Sequence, residues 1–157
     1  MTNNLEHVRS LVPDLEKRLA KPRRFGFRMT DEEYRKNFAM QRKCAIATNI
    51  SFLFLKEAGV NPIRSELHYG HMFVALTDMN TRTLNADDII IDPTYLQFAR
   101  TDIDIAHLPN TFVGARQEMF DLLNRPEFSS NFDILYHYSE RSLMSQSAQE
   151  TFAKQTR

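Results

Sequence analysis

Two stretches near the middle of the chain decide the fold. They are His-Met-Phe-Val-Ala-Leu-Thr at residues 71–77 and Ile-Ile-Ile-Asp-Pro-Thr-Tyr-Leu-Gln-Phe at residues 89–98. Their runs of apolar and β-branched residues predict strands over 71–77 and 89–91. The polar residues 79–88 between them are typical of a hairpin loop. Pro93 has no N–H to give to a sheet, so the later strand is expected to end near Asp92.

Antiparallel pairing of these two strands has a direct consequence for His71 and Asp92. In such a pair the beginning of one strand lies beside the end of the other. His71 begins the first strand and Asp92 ends the second, so the pairing brings the Asp92 carboxylate within reach of the His71 ring. The sequence therefore predicts that the imidazole and the carboxylate come together at one end of the sheet.

The elements on either side complete an α+β pattern. Residues 44–58 are apolar nearly all round, which predicts a buried helix that Gly59 terminates. Apolar spacing predicts a helix over 3–20, with Pro13 as its one unfavourable residue. Further predictions are a helix over 30–38, a strand over 63–68 and a helix over 115–124. Helices followed by strands favour N-terminal helices and a central helix packed on a small antiparallel sheet, rather than a doubly wound parallel sheet.

The length and composition of the chain indicate how many domains it has and which classes of partner it can be expected to bind. The 157 residues suit one domain, expected over 1–138, followed by a polar segment at 139–157 that forms a peripheral helix or a flexible tail. Lys and Arg total 20, as do Asp and Glu, so no nucleic-acid partner is expected. No apolar run approaches the ~20 residues of a membrane span. The sequence leaves the oligomeric state open, and also whether the chain is part of a longer protein.

The cysteine content and the N-terminus bear on the compartment. Cys44 is the one cysteine, which excludes an internal disulfide. The first 21 residues contain no apolar core of signal-peptide length. We therefore expect a cytoplasmic protein, or an effector that is secreted into a target cell without a cleavable signal peptide.

Cys44 stands where a nucleophilic thiol would be activated. It lies at the expected start of the central helix, where free backbone N–H groups and the positive end of the helix dipole favour a thiolate. A nucleophilic cysteine also needs a base, and the base needs a third group to orient it. His71 and Asp92 are the candidates for these two roles.

At this point the sequence resembles a known superfamily. A Cys at the head of an apolar helix, then Gly-His-Met-Phe-Val-Ala-Leu at 70–76, then the stretch at 89–98, resemble the papain-like superfamily in its transglutaminase-like branch. Arylamine N-acetyltransferases and several bacterial effector toxins belong to that branch. The resemblance covers residues 38–100. The interval of 27 residues from Cys44 to His71 is shorter than that branch often has, and the chain has no tryptophan beside the cysteine.

The resemblance implies a papain/transglutaminase-like fold and a catalytic triad. Cys44 would be the nucleophile, His71 the general base and then the general acid, and Asp92 the group that orients His71. The implied chemistry is acyl transfer on amide bonds of a protein or peptide substrate: glutamine deamidation or proteolysis, with transglutamination as a further outcome. No cofactor is implied. The backbone N–H of Cys44 is the expected oxyanion donor, with Gln41 as a side-chain candidate.

Other interpretations remain open at the level of sequence. His68 and His71, with Asp92 and Cys44, could supply metal ligands, but residues three apart on a strand point to opposite faces, so we expect no metal. His68 is then a rim residue and the reserve base. A catalytically inactive binding module with the same fold is the alternative to an enzyme. Residues 21–28 are basic and are expected to form a solvated loop.

Overall fold

The computed structural model describes residues 5–20, 44–65, 71–77, 83–100, 102–128 and 137–139. Four predictions fall outside these ranges: the helix over 30–38, the basic loop over 21–28, and the roles of His68 and Gln41. Residues 140–157 also lie outside them, so the domain boundary at 138 stays a prediction.

Two helices precede the sheet. Helix α1 (Leu5–Ala20) runs through Pro13 and buries Val8, Leu15 and Leu19. Since proline lacks the N–H that would reach the fourth residue before it, the helix continues at the cost of one backbone hydrogen bond. The burial of three large apolar side chains outweighs that loss. The predicted helix over 3–20 is confirmed from Leu5 to Ala20.

Helix α2 (Cys44–Glu57) is the predicted central helix. Seven of its residues are buried: Cys44, Ala47, Thr48, Ile50, Ser51, Phe52 and Leu55. Gly59 has a φ of 78°, and the backbone N–H groups of Gly59 and Val60 donate to the carbonyls of Lys56 and Leu55. Because a side chain is strained at that φ, glycine suits this termination. The prediction that Gly59 closes the helix is confirmed.

Four short strands form one antiparallel sheet in the order β1-β2-β3-β4 within the described ranges. They are β1 (Ile63–Arg64), β2 (Val74–Leu76), β3 (Ile89–Asp92) and β4 (Phe112–Ala115). The antiparallel pairing of the second and third strands is confirmed, with Val74 opposite Ile91 and Leu76 opposite Ile89. The end of β3 at Asp92, before Pro93, is confirmed as well. The strand expected over 71–77 is shorter than predicted, because regular pairing begins only at Val74.

Strand β4 corrects the sequence prediction, which contained three strands. The segment is only four residues long and includes a glycine, which weakens its strand signal. Gly114 is closely packed: a Cβ there would lie 2.2 Å from Glu118 Oε2 and 2.9 Å from Phe112 Cζ, so these side chains would have to move. Helix α3 (Arg116–Leu123) follows at once, and Glu118 Oε2 accepts a hydrogen bond from the Ala115 N–H at 3.0 Å. The helix predicted over 115–124 is thereby confirmed.

The helices and the sheet share one apolar core. All four residues of β3 and all three of β2 are buried, as expected for strands in the interior of a sheet. Helices α1 and α2 contact each other, and the Arg18 guanidinium forms a two-point ion pair with the Glu57 carboxylate. Helix α2 also contacts β1 and β2, which sets Cys44 close to the start of β2. Among the described residues, no helix has the length and apolar character needed to cross a membrane.

Candidate active site

His71 and Asp92 meet in the interior of the protein. The His71 Nε2 atom lies 2.6 Å from Asp92 Oδ2, and the two side chains are 1% and 0% exposed. Asp92 is the last residue of β3, and His71 lies three residues before β2, which pairs with β3 in antiparallel register. The sheet therefore produces the predicted contact.

Every hydrogen bond that the Asp92 carboxylate receives strengthens its anionic form. The Thr94 backbone N–H and hydroxyl donate to Oδ1 at 2.7 and 3.0 Å, and the Tyr138 hydroxyl donates to Oδ2 at 2.6 Å. Burial would raise the pKa of Asp92, but the positive charge and hydrogen bond of His71, with the bonds from Tyr138 and Thr94, bring it below its ordinary value. Asp92 is thus an ionised carboxylate in a buried position.

Cys44 completes the contact from the helix side. It is the first residue of α2, is 6% exposed and lies close enough to His71 for the ring to lower the pKa of the thiol. Since Nε2 of His71 faces Asp92, Nδ1 is the ring nitrogen that could accept the thiol proton. The backbone N–H of Met72, the residue after His71, also lowers the pKa of the thiol. The structure thus brings the three predicted residues together, while their catalytic roles remain a prediction.

The electrostatics of the three groups favour a thiolate beside an imidazolium. Burial would lower the pKa of His71, but the charge and hydrogen bond of Asp92, followed by those of Cys44, raise it to about 9. Burial would raise the pKa of the Cys44 thiol, but His71 and the Met72 N–H bring it below its ordinary value. A cysteine with a lowered pKa and a base in contact is the arrangement that nucleophilic catalysis requires.

Two polar residues of this site were missed by the sequence analysis. The Gln97 side-chain nitrogen lies 2.9 Å from His71 Nδ1, and Tyr138 donates to Asp92. Gln97 lies in the short 3-10 helix Tyr95–Phe98, which turns the chain back towards the strand ends. Gln97 lies five residues after the expected end of the strand at Asp92, and this closeness in sequence was a signal that could have revealed it. Tyr138 has no such signal, because nothing in the local sequence relates it to residue 92.

Aromatic rings enclose the imidazole. Phe98 contacts the His71 ring edge-on with centroids 4.9 Å apart, and the Tyr138 ring lies 5.6 Å away. His137 stacks on Phe98 at 5.4 Å and is partly exposed, as are Phe98 and Gln97. Tyr95 is buried and donates its hydroxyl proton to the Pro109 carbonyl. Rings of this kind exclude water and strengthen the charge interactions inside.

Metal binding finds no support in the described residues. They contain no group of three or more His, Cys, Asp or Glu side chains arranged to hold an ion. Both nitrogens of His71 already face protein partners, Asp92 and Gln97. The arrangement is suited to proton transfer and thiol attack instead.

A separate cavity of about 670 Å³ lies between α1, β4 and α3. Arg9, Val113, Asp121 and Arg125 are among the residues that line it, and the lining includes none of Cys44, His71 and Asp92. Its position on the far strand of the sheet separates it from the thiol. The chemistry of the molecule is therefore concentrated at the His71 end of β2 and the Asp92 end of β3.

Comparison with known proteins does not assign a family or a function to this site. No protein-family model, curated protein or solved structure matches the chain. Any function must therefore be argued from the residues of the site.

Proposed function

We propose that this protein is a cysteine-nucleophile acyl-transfer enzyme that acts on amide bonds of a protein or peptide substrate. The observation that carries the proposal is the continuous contact from the Cys44 thiol through the His71 ring to the Asp92 carboxylate, closed by a 2.6 Å hydrogen bond. Each group has the protonation tendency that its role needs: a thiol with a lowered pKa, an imidazole with a raised pKa and an ionised carboxylate.

The roles follow from the order of contact. The thiol proton passes to His71 Nδ1, and the sulfur attacks the substrate carbonyl carbon. Asp92 holds the ring by Nε2, so that Nδ1 faces the sulfur, and its charge stabilises the imidazolium that forms. His71 then gives the proton to the leaving amine, which departs from a thioacyl-enzyme. Attack by water releases the acid and regenerates the thiol.

The proposal also concerns which type of amide bond is attacked. Release of ammonia from a glutamine side chain and cleavage of a peptide bond use the same steps, and an amine in place of water gives transglutamination. The resemblance to the transglutaminase-like branch supports all three, and we favour hydrolysis. A papain/transglutaminase-like fold is likewise proposed: the antiparallel sheet with α2 beside it supports it.

A catalytically inactive binding module is the competing proposal. It predicts that Cys44 is an inert core residue, because buried cysteines commonly act as small apolar side chains. The hydrogen bonds to Asp92 argue against this reading. A buried charge pair is costly unless it is well hydrogen-bonded, and pairs of this kind with shifted pKa values are concentrated at functional sites.

The deciding experiment measures alkylation of Cys44 by iodoacetamide as a function of pH. We expect the native wild type to react with an apparent pKa well below the ordinary ~8.5 of a free thiol. His71→Ala and Asp92→Ala should each remove the reactivity below pH 7. Matched controls are His107→Ala and Asp102→Ala, which remove exposed residues that pair with Glu127 and Arg100.

Circular dichroism must show that each variant is folded. Reactivity that is low in wild type, or equal in the site variants and their controls, would leave the inactive module as the better reading. If the triad behaviour is observed, mass spectrometry of a peptide mixture treated with wild type and Cys44→Ser would distinguish the outcomes. Deamidation adds about 1 Da to a glutamine residue, whereas proteolysis gives new termini.

A further inference from the structure

The His71 ring has two polar neighbours besides Asp92, and both bear on its proton. The Gln97 side-chain nitrogen lies 2.9 Å from Nδ1, and the Cys44 thiol is close enough to raise the pKa of the same ring. A neutral imidazole whose Nε2–H points at a carboxylate has a single lone pair at Nδ1. It cannot accept good hydrogen bonds from the thiol and the amide together. Gln97 therefore competes with the thiol for the atom that must receive its proton.

The surroundings of Gln97 fix which end of its amide faces the ring. The Thr94 hydroxyl already gives its one proton to Asp92 Oδ1, so towards Gln97 it can only accept. The Gln97 nitrogen lies 3.5 Å from that hydroxyl oxygen, the right side for an N–H group. Thr94 and Nδ1 thus both favour the nitrogen end of the amide over its oxygen end. When Nδ1 carries no proton, this contact is a hydrogen bond donated by Gln97, and it stabilises the neutral form of His71.

Gln97 also lies on the accessible side of the buried pair. Cys44 and His71 are buried, whereas Gln97 and its neighbour Phe98 are partly exposed. A substrate carbonyl that approaches the sulfur consequently comes close to the Gln97 amide. A side-chain amide beside the attacked carbon is a standard type of donor for the developing oxyanion.

From these contacts we propose that Gln97 is a further catalytic residue, whose amide N–H passes from His71 Nδ1 to the substrate carbonyl oxygen during acylation. This inference deepens the proposed acyl-transfer function and rests on it. In the resting protein the amide hydrogen bond opposes the Asp92 charge, which favours the imidazolium, and so limits the fraction of thiolate. When a substrate carbonyl accepts the amide N–H, Nδ1 becomes available to the thiol, so that deprotonation is coupled to substrate binding.

The acylation step balances as follows. The Cys44 S–H bond breaks and its proton binds to Nδ1, while the sulfur electron pair forms the S–C bond. The π electrons of the substrate C=O move to oxygen, and the Gln97 N–H donates to that oxyanion. On collapse the C=O bond re-forms and the leaving group departs with the electron pair of its bond to carbon. An amine leaving group takes the proton from Nδ1.

Four titratable neighbours of His71 determine how its protonation responds to pH. Cys44 contacts it from α2, Asp92 from β3, and Tyr138 and His137 from the segment at 137–139. The Asp92 charge favours the imidazolium, whereas the Gln97 hydrogen bond favours the neutral ring. Removing the Gln97 amide alone should therefore increase the thiolate fraction.

The test uses Gln97→Met, which keeps the length of the side chain and removes its hydrogen bonding. Gln117→Met is the matched control, since Gln117 is exposed on α3 and bonds to Asp121. Two rates are measured on the full chain: alkylation of Cys44 by iodoacetamide at pH 6, and the burst of p-nitrophenolate from p-nitrophenyl acetate. Alkylation does not pass through an oxyanion, whereas acylation by the ester does.

The two rates should change in opposite directions. Loss of one ordinary hydrogen bond to Nδ1 should accelerate alkylation by up to about tenfold. Loss of an oxyanion donor should slow acylation by about 10²-fold. Equal rates in Gln97→Met and Gln117→Met, or a parallel fall of both rates in Gln97→Met, would overturn the role of Gln97. If instead wild-type Cys44 neither alkylates below pH 7 nor gives a burst, the acyl-transfer proposal itself fails, and this one with it.

Discussion

Tyr138 donates its hydroxyl proton to Asp92 Oδ2, the same carboxylate oxygen that faces His71 Nε2, and both distances are 2.6 Å. Asp92 therefore shares one oxygen between the imidazole and a phenol that lies 46 residues further along the chain. The phenol is fully buried, and burial together with the Asp92 charge keeps its pKa well above the ordinary value, so it stays a donor. Tyr138 is in this sense a positioning residue for the carboxylate.

Replacing Tyr138 by Phe should destabilise the protein more than the same change at Tyr95. A hydrogen bond to a charged group contributes about 1.5–3 kcal/mol, against about 0.5–1.5 kcal/mol for a neutral pair. Tyr138 bonds to a carboxylate and Tyr95 to the Pro109 carbonyl, and both rings are buried. Urea unfolding of the two variants measures the difference. Equal losses of unfolding free energy would mean that the hydrogen bond to Asp92 contributes no more to stability than the bond to the Pro109 carbonyl.

Asp92→Asn should return the Cys44 thiol towards the behaviour of an ordinary cysteine. The variant keeps the size of the side chain but removes the charge that raises the pKa of His71. With an apparent pKa near 8.5, only about 1% of the thiol would be ionised at pH 6.5. The iodoacetamide rate at that pH should fall accordingly. An unchanged rate would show that the helix N-terminus alone activates Cys44.

The His71–Asp92 pair should make stability fall at alkaline pH. The pKa of His71 is raised from 6.5 to about 9 in the native protein, so the native state binds the proton more tightly than the unfolded chain. This stabilisation is complete below pH 6.5 and is lost as the pH rises to about 9. In Cys44→Ser, which removes thiol titration, the free energy of unfolding should decrease by about 1–3 kcal/mol over that range. Cys44→Ser with His71→Gln should show a much smaller decrease.

Gly114→Ala should destabilise the junction between β4 and α3. The new methyl group would meet the Glu118 carboxylate and the Phe112 ring, and overpacking of this kind costs about 1–3 kcal/mol. The Glu118 side chain can move away, but it then gives up its hydrogen bond to Ala115. Thermal unfolding of Gly114→Ala, Glu118→Ala and the double variant measures the coupling. The double variant should lose less than the sum of the single losses, whereas full additivity would contradict the steric explanation.

The central part of the fold could be predicted because its signals are local. Periodicity located α1 and α2, glycine marked the end of α2, and proline marked the end of β3. From the paired strands 71–77 and 89–91 the meeting of His71 and Asp92 followed without further information, because an antiparallel register fixes which ends are adjacent. Cys44 was placed by the same logic, at the first residue of an apolar helix.

What could not be predicted depends on distant contacts. Strand β4 pairs with β3 across about 20 residues, and its four residues carry too little periodicity to distinguish a strand from a buried loop. Tyr138 reaches Asp92 through tertiary packing, which no local pattern encodes. Gln97 is an intermediate case. It is close to Asp92 in sequence, but the distance of its side chain to His71 Nδ1 depends on the three-dimensional arrangement.

Two polar contacts of helix α1 join residues about 100 positions apart in the chain, and this affects how the protein is made. Arg9 contacts the Val113 carbonyl 104 residues later, and Glu16 accepts a hydrogen bond from Thr111 across 95 residues. During synthesis α1 leaves the ribosome long before those partners exist. The part of α1 that packs on β4 must stay uncovered, or be covered by a chaperone, until β4 has been translated. A nascent chain stalled before residue 112 should therefore be open to proteolysis within α1, and release of the full chain should protect it.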